Sequence, residues 1–231
     1  MARINKRALT KLEIVQEASR QFLEKGYSHT TISSISKALD MSPGNLTFHF
    51  PTKEHLLAEL VELMCAFQWK RMEAEADDGY SSIMAICLEL TSMASAAEDD
   101  EVIKDFFISA YTSPLCLTII RRNDAERAKK VFGAYCPDWT DEQFNGAEIL
   151  CTGIEYATMM TAGAPVSLET RIQGALHTIM SIYNIPVEMQ QAKMKKVFSM
   201  DYRNLGKRVL REFKEYVEHA NEQAFYKLLN R

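Results

Sequence analysis

The residues of this chain best suited to chemistry lie in Ser42-Pro43-Gly44-Asn45-Leu46-Thr47-Phe48-His49-Phe50, with Thr52 and Lys53 just beyond. The chemistry they suit is recognition rather than catalysis. Ser42 caps a helix whose first position is Pro43, where a missing N–H costs nothing. Gly44 is a poor helix former placed in the first turn, which allows close approach of a phosphate to the free N–H groups of the helix start. Capping alone would also explain Ser42. Asn45 has the amide geometry that pairs with adenine in a major groove, or is a solvated polar residue. Thr47 can reach a phosphate or a base edge. Phe48 can pack partly under the helix, or against a thymine methyl or a sugar. Lys53, near a helix start, opposes the helix dipole unless an anion lies beside it. Thr31 and Lys37 are further phosphate candidates. Arg3, Lys6 and Arg7 are either an arm for an adjacent groove or a simple tail.

These residues need short helices held across one another. Thr10-Lys11-Leu12-Glu13 reads as a capping box opening a first helix, with Leu12, Val15, Ala18, Ser19 and Phe22 along its buried side. Gly26 is placed to end that helix in a left-handed conformation. Thr31 caps a second helix with the apolar face Ile32, Ile35 and Leu39. Asp40 occupies a turn that often needs positive φ. Leu46 and Phe50 turn the third helix toward the core. Thr52 is expected to cap a long fourth helix carrying Leu56, Leu57, Leu60, Leu63, Met64 and Phe67.

Asp77-Asp78-Gly79 breaks that helix. Further helices are predicted over 80–97, 101–112, 114–135, 140–162, 168–183, 187–198 and 202–229, with breaks at Pro114, Pro137, Gly163-Ala164-Pro165 and Pro186. No alternating strand pattern of any length appears, so the fold class is all-α. The domain reading is 1–55 for a helix-turn-helix head, 52–76 for a connecting helix, and 77–231 for a helical body.

The 231 residues are 47% apolar and 25% charged, ordinary for a globular protein with a good core. Net charge is −4, but it is unevenly spread. Residues 1–55 carry eight Lys/Arg against five Asp/Glu, residues 56–189 nine against 21, and residues 190–231 ten against five. The pattern is a basic working end on an acidic body. No apolar run approaches the roughly 18 residues of a membrane span, and no apolar segment follows the basic N-terminus as a secretory signal requires. Five scattered cysteines without a C-x-x-C suit a reduced cytoplasm.

The body shows no catalytic or phosphate-binding motif: no H-E-x-x-H, G-x-S-x-G, P-loop or G-x-G-x-x-G. No catalytic residue, metal or cofactor is expected. His177 and His219 are isolated. Cys87, Cys116 and Cys151 read as buried small hydrophobes, with a redox sensor as the alternative. Met84, Met93, Phe106, Phe107, Tyr111, Tyr156, Met159 and Met160 are adaptable apolar material that fills cores or lines pockets. Glu155 lies in an otherwise apolar stretch, as a polar anchor or as an exposed residue. Gly146, Leu150, Gly153 and Ala157 form a stripe of mostly small residues. Ile172, Ala175, Leu176, Ile179, Ile182 and Tyr183 form a broad apolar one. Each stripe can pack within the chain or against a symmetry copy. The basic segment from Lys193 to Arg231 reads as terminal helices bracing the body.

Over about residues 10–60 the sequence resembles the DNA-binding domain of the TetR family of transcriptional regulators. The likeness rests on Thr30-Thr31, Ile35, Ala38, Met41, Ser42-x-Gly44-x-Leu46, Phe48-His49-Phe50, Lys53 and Leu56. Past residue 76 it continues only as an all-helical body of the right length. The chain departs from the family pattern at Asp40, often Gly, and at Thr47, often Tyr, so contacts near Thr47 do not transfer.

The resemblance implies a cytoplasmic homodimer on a palindromic double-stranded DNA operator, released as a repressor by a small apolar or amphipathic effector. It implies a phosphate contact for His49. It implies a ligand cavity in the body, for which Met84, Phe106, Phe107, Tyr111, Glu155, Tyr156 and Met159 are the candidates. It also implies a dimer through helices 140–162 and 168–183, a four-helix bundle. An activator or a ligand-independent regulator is the alternative, and a helical carrier or enzyme with a vestigial head the more remote one.

Overall fold

The structure is a computed structural model and describes residues 6–76, 82–160 and 165–219. The expected break at Asp77-Asp78-Gly79, the turn at Gly163-Ala164, Arg3 of the basic arm and the chain beyond His219 lie outside the described residues. Among those residues the fold is all-α, with eleven helices and no strand. The head holds α1 (Lys6–Lys25), α2 (Ile32–Ala38) and α3 (Pro43–His49), and α4 (Lys53–Glu75) leads from it into the body. The body adds α5 (Ser82–Asp99), α6 (Glu101–Thr112), α7 (Pro114–Phe132), α8 (Asp141–Met160), α9 (Leu168–Ile182), α10 (Val187–Phe198) and α11 (Tyr202–Glu218).

Two capping expectations are corrected. Helix α1 does not open at Thr10; it begins at Lys6 and Thr10 lies inside it. The reason is Ala8, buried one turn before Leu12, which extends the apolar side of the helix toward the N-terminus. Thr52 occupies the N-cap position of α4, but its hydroxyl meets His55 Nδ1 at 2.8 Å instead of capping the backbone. The other turn chemistry agrees with the sequence. Gly26 has φ +91° and Asp40 φ +50°. Ser42 Oγ accepts from Asn45 N at 3.1 Å with Pro43 in the first turn.

Two apolar clusters fill the interior. One begins in the head with Ile14, Phe22, Ile35, Leu46 and Phe50, runs along α4 through Leu56 and Leu60, and continues into the body at Phe106 and Phe213. The other fills the far body around Phe132, Phe144, Ile172 and Tyr183. Head and upper body therefore share one core. The apolar stripe expected to face a second copy is corrected here as well. Ile172, Ala175, Leu176, Ile179 and Tyr183 of α9 and its C-cap are buried within the chain, because α9 packs on α5 and α8.

Helix α11 braces this arrangement. It lies so close to α5 that a Cβ on Gly206 would stand 2.8 Å from the carbonyl oxygen of Ser92. At its far end, Gln16 Nε2 of α1 donates to the carbonyls of Val217 and Glu218, at 3.1 and 3.0 Å.

Candidate functional site

The head presents one polar, convex face. Helix α3 buries only Leu46, and its C-cap Phe50 goes into the core with it. One buried contact per turn is enough to seat a seven-residue helix on the core beneath and leave the rest facing solvent. Ser42, Pro43, Gly44 and Asn45 are exposed, and Thr47 and His49 half-buried. Phe48 is 68% exposed, so it does not pack under the helix. Thr47 Oγ1 donates to the carbonyl of Gly44 at 3.2 Å. Thr31 and Lys37 of the second helix region are also exposed. The Thr31 hydroxyl accepts from Ser34 N at 3.0 Å while Ser34 Oγ accepts from Thr31 N at 3.1 Å, a reciprocal cap.

Basic charge reaches this face from α1, through Arg7, an arm residue in the sequence reading, and Lys11 of the first helix. The Arg7 guanidinium lies 5.5 Å from the Phe48 ring centroid and the Lys11 ammonium 5.5 Å from that of Phe50. The signal was available in the spacing Arg7 to Lys11, one helical turn, but it needs a helix that starts before Thr10. His49 feels both cations. Burial first, then Arg7 and Lys11, push its pKa below the ordinary histidine value, and its Nδ1 is buried with no partner.

Lys53 is placed differently from the expectation of a residue turned to an anion. Its ammonium donates to the carbonyls of Tyr27 and Thr30, at 2.8 and 2.9 Å, and sits 3.9 Å from the Tyr27 ring centroid. These partners pin the loop between α1 and α2 onto the start of α4. A third N–H of the ammonium is left over. Burial lowers the Lys53 pKa, with Asp105 acting against it.

The body holds a small, partly open cavity of about 40 Å³ among α4 to α8, and a second of about 30 Å³ adjoins it. Of the residues expected to line a pocket, the structure brings Phe106, Phe107, Tyr111 and Glu155 to the first cavity, together with Met93. Met84 and Met159 are core residues instead, Met84 in the far cluster and Met159 in the shared one. Tyr156, beside Glu155 but turned from it by the helix, is half-buried and lines neither cavity. Met160 is largely exposed.

Charged groups dominate where the two cavities meet: Glu89, Asp124, Arg127 and Glu155 line both. Arg127 pairs with Glu89 at 2.9 Å and with Asp124, and its guanidinium lies 4.8 Å from the Trp69 ring centroid. Burial opposes the charge on Arg127, but Glu89 and Asp124 outweigh it and raise the pKa. Tyr111 donates to Glu155 at 2.8 Å and Tyr183 donates to Glu148. Burial, then Asp124, push Glu148 up to about 7. Burial, then Asp124 and Glu148, push Glu155 well above the usual carboxylate range.

Sequence reasoning found Glu155 and missed its partners. Glu89 is the one charge between Ile83 and Ala97, and Glu148 stands seven residues before Glu155, on the same helical face. Both were visible as charges in apolar runs. Cys87, Cys116 and Cys151 are buried, and burial pushes Cys87 up to about 12 and Cys116 up to about 11, away from thiolate chemistry. No group of side chains suited to a metal ion occurs among the described residues. No single described helix is long and apolar enough to cross a membrane.

Residues 14–60 match the family described as bacterial regulatory proteins, tetR family. The head is a TetR-family domain. It is 39% identical over 62 residues to the HTH-type transcriptional regulator QacR of Staphylococcus aureus, covering 26% of this chain and 33% of that one. It is 32% identical over 69 residues to IcaR of Staphylococcus epidermidis, the HTH-type negative transcriptional regulator of the biofilm operon icaADBC, covering 30% and 37%. The match thus spans about a third of the length of these relatives. Among solved structures, the chain aligns with a gamma-butyrolactone receptor (ArpA-like protein) at TM-score 0.44 and 18% identity, over 90% of this chain and 100% of that one. It aligns with the TetR-family protein CprB from S. coelicolor A3(2) at TM-score 0.43 and 19% identity, over 90% and 99%.

Proposed function

We propose that this chain is a DNA-binding transcriptional repressor that acts as a dimer and is released from a palindromic operator by a small molecule bound in the body. The observation that carries the reading is α3 itself, a helix of the TetR-family head that buries Leu46 alone and offers Ser42, Gly44, Asn45, Phe48 and His49 outward beside Arg7 and Lys11. Such a helix fits a major groove, with backbone N–H groups at its start for a phosphate. Asn45 and Thr47 would read bases, and Thr31, Lys37 and His49 would meet phosphates. A phosphate beside His49 would raise its lowered pKa and satisfy the cation-rich face.

The dimer we assign to α8 and α9. Gly146, Leu150, Gly153 and Ala157 lie together on an exposed face of α8, with Ile149 and Met160 beside them. Leu150 is 60% exposed, and nothing lies within 4 Å of a Cβ built on Gly146 or Gly153. On α9 the outward side is Gln173, Gly174, His177, Thr178 and Ser181, so the buried stripe around Ile172 is not part of it.

Release follows from how cavity and head are joined. Helix α4 lines the cavity with Met64 and Gln68 and ends in the head at Lys53. Helix α6 lines it with Phe106 and Phe107, and the adjoining Asp105 accepts from Ser28 N and Oγ of the head, at 2.8 and 2.5 Å. Ser113 Oγ, at the start of α7, donates to Glu54 at 2.5 Å. An effector that parts α4 from α6 therefore moves both attachments of the head and changes the spacing of two recognition helices, to which paired half-sites are sensitive. It acts only to the extent that it binds one spacing better than the other.

The test is selection from a random duplex pool with the full chain. Enrichment of an inverted repeat, lost in Asn45→Ala and Phe48→Ala, supports the reading. A correctly folded protein that enriches nothing at low salt sinks it.

A further inference from the structure

We infer that the body cavity is a binding site for an organic cation, an ammonium group carried on an aromatic body. The inference rests on the reading of the body as an effector domain and gives that effector its chemistry. Four carboxylates, Glu89, Asp124, Glu148 and Glu155, converge on the paired cavities, and among the described residues Arg127 is the one cation lining either of them. Arg127 is committed to Glu89 and Asp124, while Glu148 and Glu155 are hydrogen-bonded by tyrosine hydroxyls and have no ion pair among the described residues. Gathering buried and half-buried carboxylates in excess of their counter-charges is costly, and a fold keeps such an arrangement where a ligand completes it.

A second observation points to a ligand independently of the acids. Gln68 of α4 lines the first cavity at 5% exposure, and its amide makes no hydrogen bond to any described residue. An amide left without a partner at a cavity wall is a docking group. The third element is the apolar wall: Phe106, Phe107 and Tyr111 stand opposite the carboxylates. Aromatic faces and carboxylates together stabilise an organic ammonium better than either alone, since the faces replace the water that the cation loses.

The cavity of about 40 Å³ holds a water molecule or two, not an aromatic ligand. Occupation must push α4 away from α6, the displacement that the repressor reading requires. The ammonium would lie between Glu155 and Glu89, the ring against Phe106 and Phe107, and a polar substituent at Gln68.

The groups facing Glu155 make its response to pH predictable. They are Glu89 on α5, Tyr111 on α6, Asp124 and Arg127 on α7, and Glu148 on its own helix, while α4 presents the uncharged Gln68 and Cys65. The surplus of acids holds protons near neutral pH, and a permanent cation displaces them, so its affinity rises with pH.

The experiment is calorimetric titration of the full chain with three probes of one shape. They are (2-naphthylmethyl)trimethylammonium, which does not titrate, the neutral 2-naphthalenemethanol, and 2-naphthylacetate. The cation should bind at least about tenfold more tightly than the alcohol, the difference one desolvated charge contact makes. The acetate should bind more weakly than both. Glu155→Gln should cost the cation about tenfold and leave the alcohol unchanged. In the unaltered protein the cation should bind more tightly at pH 8 than at pH 6, which requires no variant to fold. A cation no tighter than the alcohol, no binding by any probe, or an affinity flat in pH overturns the inference. Adding the operator separates it from the repressor reading. Cation binding without DNA release keeps the site and removes the effector role, whereas release by the neutral or anionic probe alone keeps the repressor and removes the cation.

Discussion

The head and the body put their functional groups on opposite sides of the protein surface. In the head they point outward from one seven-residue helix, and the core beneath touches that helix chiefly through Leu46. In the body they point inward from five helices, and the charged ones are buried or half-buried. The outward face has a surplus of positive charge from Arg7, Lys11 and Lys37, the inward one a surplus of carboxylates. An exposed face can be altered residue by residue with little effect on folding. A buried polar set is part of the core, so its function and its stability are not separable. On the proposed repressor reading, ligand-driven change would belong in the second place and DNA reading in the first, because only the second can alter packing.

The separation would fail if head and body were held apart, and they are not. Phe213 of α11 is fully buried in the cluster that also holds Leu46 and Leu56, and its ring centroid lies 5.5 Å from that of Phe67 on α4. Phe213→Ala should therefore lower stability by about 3–5 kcal/mol, the usual range for emptying a buried aromatic site. Hydrogen exchange should show α1 losing protection together with α11, since Gln16 binds the end of α11. An unchanged α1 would mean that the head folds as a unit near residues 1–55 and that the shared core is only contact.

The next largest effect has the opposite sign. Glu148 is buried and its carboxyl is pushed up to about 7, mainly by burial and by Asp124. The folded protein holds a proton there that the unfolded chain releases near the ordinary value of 4.5. Stability is therefore greatest below that value and falls as pH rises through about 7. Glu148→Gln keeps an acceptor for Tyr183 and removes the titration. It should gain up to about 3 kcal/mol over the unaltered protein at pH 8, because the carboxyl lies at about 7 instead of 4.5, and nothing near pH 4. Urea midpoints across that range measure it. An equal difference at both ends would show that Glu148 contributes packing and not charge.

The two regions also differ in how far the sequence discloses them. The head was legible because its signals are local. Thr31, Ser42, Pro43, Asp40 and Gly26 each have a turn or cap that a few neighbouring residues dictate, and the structure uses each of them there. The failure in the head came where a local rule met a longer apolar face, as at Thr10. The helices of the body were legible to within a few residues, through Pro114, Pro186 and their periodicity. The cavity was half legible. Phe106, Phe107, Tyr111 and Glu155 were named, whereas Met84 and Met159 were placed with them by composition alone. Which side of a buried helix faces a cavity depends on its neighbours, and α9 shows the same ambiguity: its apolar stripe suited a partner chain and a core equally well. Lone charges in apolar runs, Glu89 and the pair Glu148 and Glu155, were the better guide, since they seldom enter a core without a reason.

The smallest effect concerns the residue at which the two regions meet. Lys53 stands in the head by sequence but at the first turn of α4, the helix that carries the cavity. Its ammonium holds the carbonyls of Tyr27 and Thr30, and Asp105 of α6 holds Ser28 in the same loop. The loop between α1 and α2 is thus gripped by two of the helices that line the cavity, α4 and α6. Lys53→Met keeps the stem and removes two charge-assisted bonds, at a cost of about 1–3 kcal/mol in stability. Its effect on DNA binding distinguishes two roles. A grip on the loop predicts weaker binding with the same dependence on salt, because no phosphate contact is lost. A direct phosphate contact predicts that the slope of log affinity against log salt falls by about 0.9. With the grip released, the effector should also shift DNA affinity less than in the unaltered protein, since one of its two attachments to the head no longer moves. A variant with the full effector response and a reduced salt slope would assign Lys53 to the outward face and leave the coupling to Asp105 alone.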